Sequence, residues 1–361
     1  MSTLKINTLS NGGSAIDFPN SFNIGGNAIE QGYTSSGTEP SSPATGDIWW
    51  DSTNEKLYQY LNSEFKEITI AAPAIWYGDR GIFAGFSNSD DTINYIDITT
   101  TGNATDFGNL SAVGHKTAAC SNGTRALFST TGAVSTPTNT IEYITTATTG
   151  NTTDFGDLSV ARFYAASMSD GTYGVVAGGF TNSGASDTID YVTIATTGNA
   201  TDFGNLTGGT YQVSGCSDAT RGIIAGGAGL GNTIEYITIA TTGDASDFGD
   251  LLFAVQAHAG TSDATRGIFA GGYAPSQSPT NVKTIQYITI ATTGNAADFG
   301  DLTVSSRSMS ACSNGTRAVI HCGLNTNRMD YITIQTLGNA ADFGDTTVSG
   351  QYMSGTSGSA S

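Results

Sequence analysis

From residue 72 to residue 357, apolar and polar positions recur in a fixed order. Each copy opens on a short run of small residues, as at 117–121, 165–169 and 310–313. A polar turn follows, then an apolar stretch ending in glycine, such as Arg266-Gly267-Ile268-Phe269-Ala270-Gly271-Gly272. A third segment centres on a tyrosine, as in Thr233-Ile234-Glu235-Tyr236-Ile237. A Thr-Thr-Gly-Asn turn then leads to a fourth, around Asp298-Phe299-Gly300-Asp301-Leu302. Short runs rich in Ile, Val, Tyr and Phe, bounded by Gly, Asn and Asp, read as strands. Four strands per copy are therefore predicted. In the third, Ile234 and Tyr236 share one face while Ile237 and Ile239 share the other. Two apolar faces suit a strand buried on both sides between stacked neighbours, not a sheet with one wet face.

The turn between the first two strands carries Asn122-Gly123, Asp170-Gly171 or Asn314-Gly315. These dipeptides favour type I′ hairpins, because both residues tolerate positive φ. Asp218-Ala219 and Asp263-Ala264 break that pattern and suggest another turn type. The repeat tyrosines are Tyr95, Tyr143, Tyr191, Tyr236, Tyr287 and Tyr331. Their spacing of about 47 residues falls between the periods of two propeller repeats, WD40 and kelch. Second, third and fourth strands occur six times, first-strand candidates seven times. Ser354-Gly355-Thr356-Ser357 matches Ser214-Gly215-Cys216-Ser217, whereas Ile75-Trp76-Tyr77 matches no other copy. Residues 350–357 are therefore expected to complete the first copy and close a ring without exposed sheet edges.

The paired glycines Gly178-Gly179, Gly226-Gly227 and Gly271-Gly272, with a tyrosine in the next strand, resemble the kelch repeat. Phe107, Phe155, Phe203, Phe248, Phe299 and Phe343 stand where that repeat carries a fourth-strand tryptophan. The resemblance implies an all-β fold over residues 72–361, a six-bladed kelch-like β-propeller of four-stranded blades, preceded by a small β-rich arm and meander. It says little about function, since propellers host many roles.

Outside the repeat, residues 1–34 form an arm. Gly12 to Asn20 and Phe22-Asn23-Ile24-Gly25-Gly26 read there as short strands with Gly/Asn turns. Residues 35–46, with Pro40 and Pro43 among Ser, Thr and Gly, have the composition of a linker. Residues 47–71 read as a three-stranded aromatic meander with turns at 52–55 and Asn62-Ser63. A meander of this size buries too little to be stable alone. The succession of a Pro-rich link, Gly46-Asp47-Ile48-Trp49-Trp50-Asp51 and Leu57-Tyr58 resembles short modules of tailed-phage fibre and virion proteins. Leu4-Lys5-Ile6-Asn7-Thr8 and Phe18-Pro19-Asn20 resemble virion attachment arms, notably of phages of marine cyanobacteria. The resemblance implies attachment to other virion proteins through residues 1–71, homo-oligomerisation (a trimer by analogy), and a place in the virion after assembly in the host cytoplasm.

Charge changes this picture little. The 361 residues carry 31 Asp and Glu against 13 Lys and Arg, a net −18, yet only 12% are charged. That balance argues against nucleic-acid binding, which is built largely on Lys and Arg. No apolar run approaches the length needed to span a bilayer, so membrane insertion is not expected. No signal peptide is visible at the N-terminus. Much of the acidity belongs to the repeat: Asp106, Asp154, Asp202, Asp247, Asp298 and Asp342 are one position, and Asp157, Asp250, Asp301 and Asp345 another. Arg80, Arg125, Arg221, Arg266 and Arg317 are also equivalent, and each is expected to pair with a carboxylate of its own or the next blade.

Catalytic chemistry is sparse. Asp-Phe-Gly occurs six times, once per copy, so it reads as framework. The Asn-Gly-Thr and Asn-Ala-Thr tripeptides read as turns. His115, His258 and His321 occupy non-equivalent positions, and no metal site or cofactor is expected from them. Cys120, Cys216 and Cys312 sit in alternate copies, too far apart for a disulfide, and with Cys322 they read as small buried thiols.

Strand parity locates function. The 1–2 and 3–4 turns share one face of a propeller and barely vary here. The 2–3 loops and blade connections share the other, and they vary in length and chemistry. The loops run 86–91, 131–139, 180–187, 228–232, 273–283 and 324–327. This face is expected to be a recognition surface. Its candidate residues are Phe86, His115, Lys116, Arg162, Phe163, Tyr164, Phe180, Tyr211, Gln212, Phe253, His258, Tyr273, Lys283, Arg307 and Arg328. The expectation is a non-enzymatic phage virion protein, a tail fibre or surface decoration, whose propeller recognises a host cell-surface glycan or protein. The alternatives are a kelch-like glycan-active enzyme, which needs paired carboxylates in a cleft, and an architectural tail or capsid part without a ligand.

Overall fold

The computed structural model describes residues 22–24, 27–29, 33–51, 53, 56–61, 63–67, 78–87, 89–114, 117–131, 135–324 and 326–359. Gly12 to Asn20, Leu4 to Thr8 and Ile75-Trp76-Tyr77 lie outside them. The chain divides into two compact units, Met1–Ala72 and Pro73–Ser361.

In the first unit, Phe22–Ile24 and Asn27–Ile29 pair as an antiparallel hairpin. The expected meander is present as Ile48–Asp51, Lys56–Leu61 and Glu64–Glu67. A fourth strand, Tyr33–Ser36, joins it parallel to Ile48–Asp51. Ser35 and Ser36 are thus strand residues, and the Pro-rich segment begins after them. Trp49 explains the extension. Its indole N–H donates to the Ser36 carbonyl at 3.1 Å, and its ring stacks on Tyr58 at 5.0 Å with Phe65 edge-on at 5.3 Å.

The second unit is a six-bladed β-propeller. Blade 1 is built from both ends of the repeat: Ser354–Gly358 innermost, then Arg80–Ala84, Thr92–Asp97 and Thr105–Asn109. The other innermost strands are Ala118–Ser121, Ala166–Ser169, Ser214–Ser217, Ala259–Ser262 and Ser310–Ser313, and each opens an antiparallel sheet of its own. These six strands contact one another in sequence around the ring, and Ser310–Ser313 returns to Ser354–Gly358. Blade 3 carries a further short strand, Phe180–Thr181. The core lies between blades, in clusters that each draw on two neighbouring sheets.

The 1–2 turns are not type I′. Asn122, Asp170 and Asn314 close them by donating N–H to the carbonyls of Arg125, Tyr173 and Arg317, and of the central Gly-Thr pairs only the glycines have positive φ. The Asx side chain instead accepts the N–H groups two and three residues on, as Asn122 does from Thr124 and Arg125. Asp218 and Asp263 do the same, so the Asp-Ala copies keep the same cap without the glycine.

Three kinds of contact fasten neighbouring blades, the third at five of the six junctions. In the first, Asn94, Glu142, Asp190, Glu235, Gln286 and Asp330, flanked by the isoleucine or methionine and the tyrosine of the third strand, are at most 2% exposed. Each accepts the backbone N–H of the residue four beyond the Asp-Phe-Gly phenylalanine of the preceding blade, at 2.6–3.2 Å. A buried polar side chain must be hydrogen-bonded to be tolerated, so these groups specify how blades stack.

In the second contact, the Asp-Phe-Gly glycine abuts the glycine of the next blade's Thr-Thr-Gly or equivalent turn. A Cβ on Gly108 would lie 2.2 Å from the Gly150 carbonyl oxygen, and Gly344 stands in the same relation to Gly102 at 2.3 Å. The turn residue after that glycine caps the preceding blade, as Asn151 accepts from Asn109 N–H at 3.0 Å. The repeated Asp-Phe-Gly and Gly-Asn are therefore two halves of one joint.

The third contact corrects the expectation for the arginines. Among the described residues, none of the five forms an ion pair with a carboxylate. Each guanidinium lies over its own blade's tyrosine, 4.2–4.8 Å from the ring centroid. Its Nη1 donates to a carbonyl just past the third strand of the next blade: Thr146, Ile194, Ile290, Ile334 and Ile98. Strand-end carbonyls have no ladder partner and take the donor. Blade 3 has Tyr173 in the arginine position, edge-on to Tyr191.

Candidate recognition face at the channel mouth

Two residues before five of the six innermost strands the chain turns into the ring. Tyr164, Gln212, Ala257, Ser308 and Tyr352 hold this position, with φ of 62°, 55°, 55°, 61° and 55°. Their backbones join head to tail: Gln212 N–H donates to Tyr164, Ala257 to Gln212, Ser308 to Ala257 and Tyr352 to Ser308, at 2.7–3.0 Å. The backbone of the rim is thus uniform while its side chains differ. At comparable φ elsewhere the chain often uses glycine, as at Gly178, Gly226 and Gly271, though Thr130 and Ala264 also adopt it. A non-glycine residue in this region costs about 1 kcal/mol or more.

The rim frames a cavity of about 100 Å³ at the mouth of the central channel. A second, of about 70 Å³, lies further along. Ala119, Ser167, Gly215, Gly260, Ala311 and Gly355 line both, one from each blade, and form a waist of small residues. Beyond the waist, the hydroxyls of Ser217, Ser262 and Ser313 donate to the carbonyls of Ser169, Ser217 and Ser262 at 2.5–2.6 Å.

Aromatic side chains gather on one side of the mouth. Tyr164 and Tyr352 stand 4.7 Å apart at 59°, and Gln212 Nε2 donates to Tyr352 Oη at 3.1 Å. Tyr211 lies 6.5 Å from Tyr164 and 5.0 Å from Phe180, which stacks on Phe163 at 5.7 Å. Burial, with Tyr352 close by, pushes the Tyr164 phenol above its ordinary pKa, so it stays protonated as a donor. Tyr164, Phe180, Tyr211, Gln212 and Tyr352 are all half-buried.

The other candidate residues divide. Four are not available to a ligand. Phe86 is fully buried, 6.0 Å from His321. Arg162 is fully buried because Asp190 holds its Nη2 at 2.9 Å and the Val176 carbonyl at 3.1 Å. Burial lowers its pKa, and Asp190 opposes that shift. Phe163 is buried beneath Phe180. His258 is buried against Phe269, with no partner on either ring nitrogen, and burial pulls its pKa down to about 3.

Phe253 packs partly on the core of blades 4 and 5. Arg307 lies over Tyr273 at 5.2 Å. Lys283 meets Asp301 at 3.1 Å, exposed, and Arg328 meets Asp330 at 3.0 Å and Asp342 at 3.3 Å. His115 and Lys116 lie outside the described residues. Tyr352 was missing from the expected set, although the repeat signals it: it precedes its strand by the same two residues as Tyr164.

Among the described residues, no three His, Cys, Asp or Glu side chains converge into a metal-binding group. The four cysteines are free and buried, and burial raises the Cys120 thiol to about 11. No protein-family model and no curated protein matches this chain.

Proposed function

We propose that this chain is a non-enzymatic structural protein of a tailed-phage virion, a tail fibre or surface decoration, whose propeller presents its diversified face to the host surface. The observation that carries the reading is the rim. Five positions with one backbone geometry, each strained for a residue other than glycine, hold five side chains of four kinds. Backbone strain of this kind clusters at functional sites, and here it recurs at one position of five blades. The opposite face is consumed by the framework, since its Thr-Thr-Gly-Asn turns cap neighbouring blades.

A glycan-cleaving enzyme would need two carboxylates across its cleft. The described residues lining the mouth include none. The resemblance of residues 46–58 to fibre modules supports attachment of the chain to other virion proteins through residues 1–71.

Immunogold labelling of purified virions with antibody to the propeller tests the placement. Gold at the tail or on the capsid surface is expected. Unlabelled virions from cells that make the protein would overturn it.

A further inference from the structure

We propose that the mouth of the channel is a saccharide-binding subsite built from Tyr164, Gln212 and Tyr352, with Tyr211 and Phe180 as its outer wall. The inference rests on the recognition reading and names the class of ligand. Three observations carry it.

The first is chemical. The lining of the mouth holds hydroxyl, amide and aromatic groups and, among the described residues, no Asp, Glu, Lys or Arg. Its one imidazole, His258, is kept neutral by burial. A neutral, hydroxyl-rich ligand with an apolar face fits such a lining, because a phenol ring offers an apolar plane and a polar tip together. A peptide recognised by charge or a phosphate would find no counter-charge in it.

The second is preorganisation. Tyr164 sits in a hydrogen-bonded group with Gln212 and Tyr352. The backbones of all three are tied to the rim. Aromatic groups held in this way lose little entropy when a ligand docks.

The third is position. Phe163, Phe180, Tyr164, Tyr211 and Tyr352 are in continuous ring contact. The patch occupies one side of the mouth while Ala257 and Ser308 occupy the other. A sugar unit can therefore enter with its apolar face on the tyrosine rings and its hydroxyls toward the Gln212 amide and the phenol oxygens.

The test is saturation-transfer NMR of the full chain with methyl α- and β-hexosides of glucose, galactose, mannose and N-acetylglucosamine, and with glucuronic acid. Saturation of at least one neutral hexoside is expected. Tyr164→Ala and Gln212→Ala should each weaken it roughly tenfold, and Leu337→Ala, on the opposite face, should leave it unchanged. Tyr164→Phe, which keeps the ring and the fold, should lose part of the affinity. Transfer to glucuronic acid alone, or to no sugar while the protein still adsorbs to host cells, would overturn the assignment of a neutral saccharide and leave the recognition reading standing. Absence of both sugar binding and cell adsorption would overturn the recognition reading as well.

Discussion

Thr347 gives both its backbone N–H and its hydroxyl to the side-chain oxygen of Asn94, 253 residues earlier in the chain, at 2.7 and 2.9 Å. This is the blade-to-blade joint of the propeller at the one place where it joins the last blade to the first. Asn94→Ala leaves the Thr347 N–H without its partner, and a buried donor left so costs about 1–3 kcal/mol. Urea denaturation should show that loss. An unchanged midpoint would mean that the ring is not closed through this seam.

The arginine contact predicts a salt response. Arg317 rests on Tyr331 and donates to Ile98 and Thr99 carbonyls in blade 1, with no carboxylate partner. Arg317→Ala should cost about 1–2 kcal/mol through the lost cation–π contact and hydrogen bonds. The loss should be the same at about 0.05 and about 0.5 M salt, because screening weakens exposed ion pairs most. A loss that fades with salt would restore the carboxylate pairing read from the sequence.

Packing between innermost and second strands follows a size rule. Cys120, Met168, Cys216 and Cys312 each crowd a glycine of the following blade: Gly174, Gly222, Gly267 and Gly81. Where the inner residue is Thr261 or Thr356, the following blade has Ala318 or Ala126 at the glycine position. A Cβ on Gly222 would lie 2.5 Å from Met168 Sδ. Gly222→Ala should therefore cost about 1–3 kcal/mol by overpacking. Adding Met168→Thr should recover about 1 kcal/mol of that, as coupling between touching residues allows. Strictly additive losses in the double-mutant cycle would contradict the rule.

Two buried histidines set a pH dependence. His321 accepts from Gly323 N–H at Nδ1 and meets Thr346 at Nε2, whereas His258 has no partner, and burial pulls both down to about 3. The unfolded chain takes up these protons near pH 6.5, and the folded one does not until about pH 3. Protons therefore favour the unfolded state in that window, and stability falls as pH drops through it, by up to about 1.4 kcal/mol per unit for each histidine. Equivalent positions to His258 carry Met309 and Met353. His258→Met should raise stability at pH 5 and flatten the slope between pH 4 and 6.5, read from Tm against pH. An unaltered slope would place His258 in contact with water.

The fold was legible because its determinants are local and repeated. Tyrosines 44 to 51 residues apart and six copies of Asp-Phe-Gly give blade number and strand order. What joins the blades was less legible, since each joint sets one copy's residue against a different residue of the next. Glu235 reads as a polar residue on an amphipathic strand, and only the stacked neighbour makes it a buried acceptor for Thr207. Arg317 reads as a charge in need of a carboxylate, while the nearest acceptors are strand-end carbonyls. At the mouth, Tyr164, Tyr211 and Gln212 could be found from loop variability. Burial of Phe86 and Arg162 could not, because a loop position in sequence says nothing about the side chain's direction.

The recognition rim is the centre of this account, and adsorption of the purified protein to host cells tests it most directly. A variant carrying Tyr164→Ala, Tyr211→Ala, Gln212→Ala and Tyr352→Ala is compared with Leu337→Ala on the opposite face, both checked for unchanged circular dichroism. The rim variant should lose at least tenfold in adsorption while Leu337→Ala adsorbs as the parent does. Equal adsorption by a folded rim variant would contradict the account and make the rim side chains drift on an architectural ring.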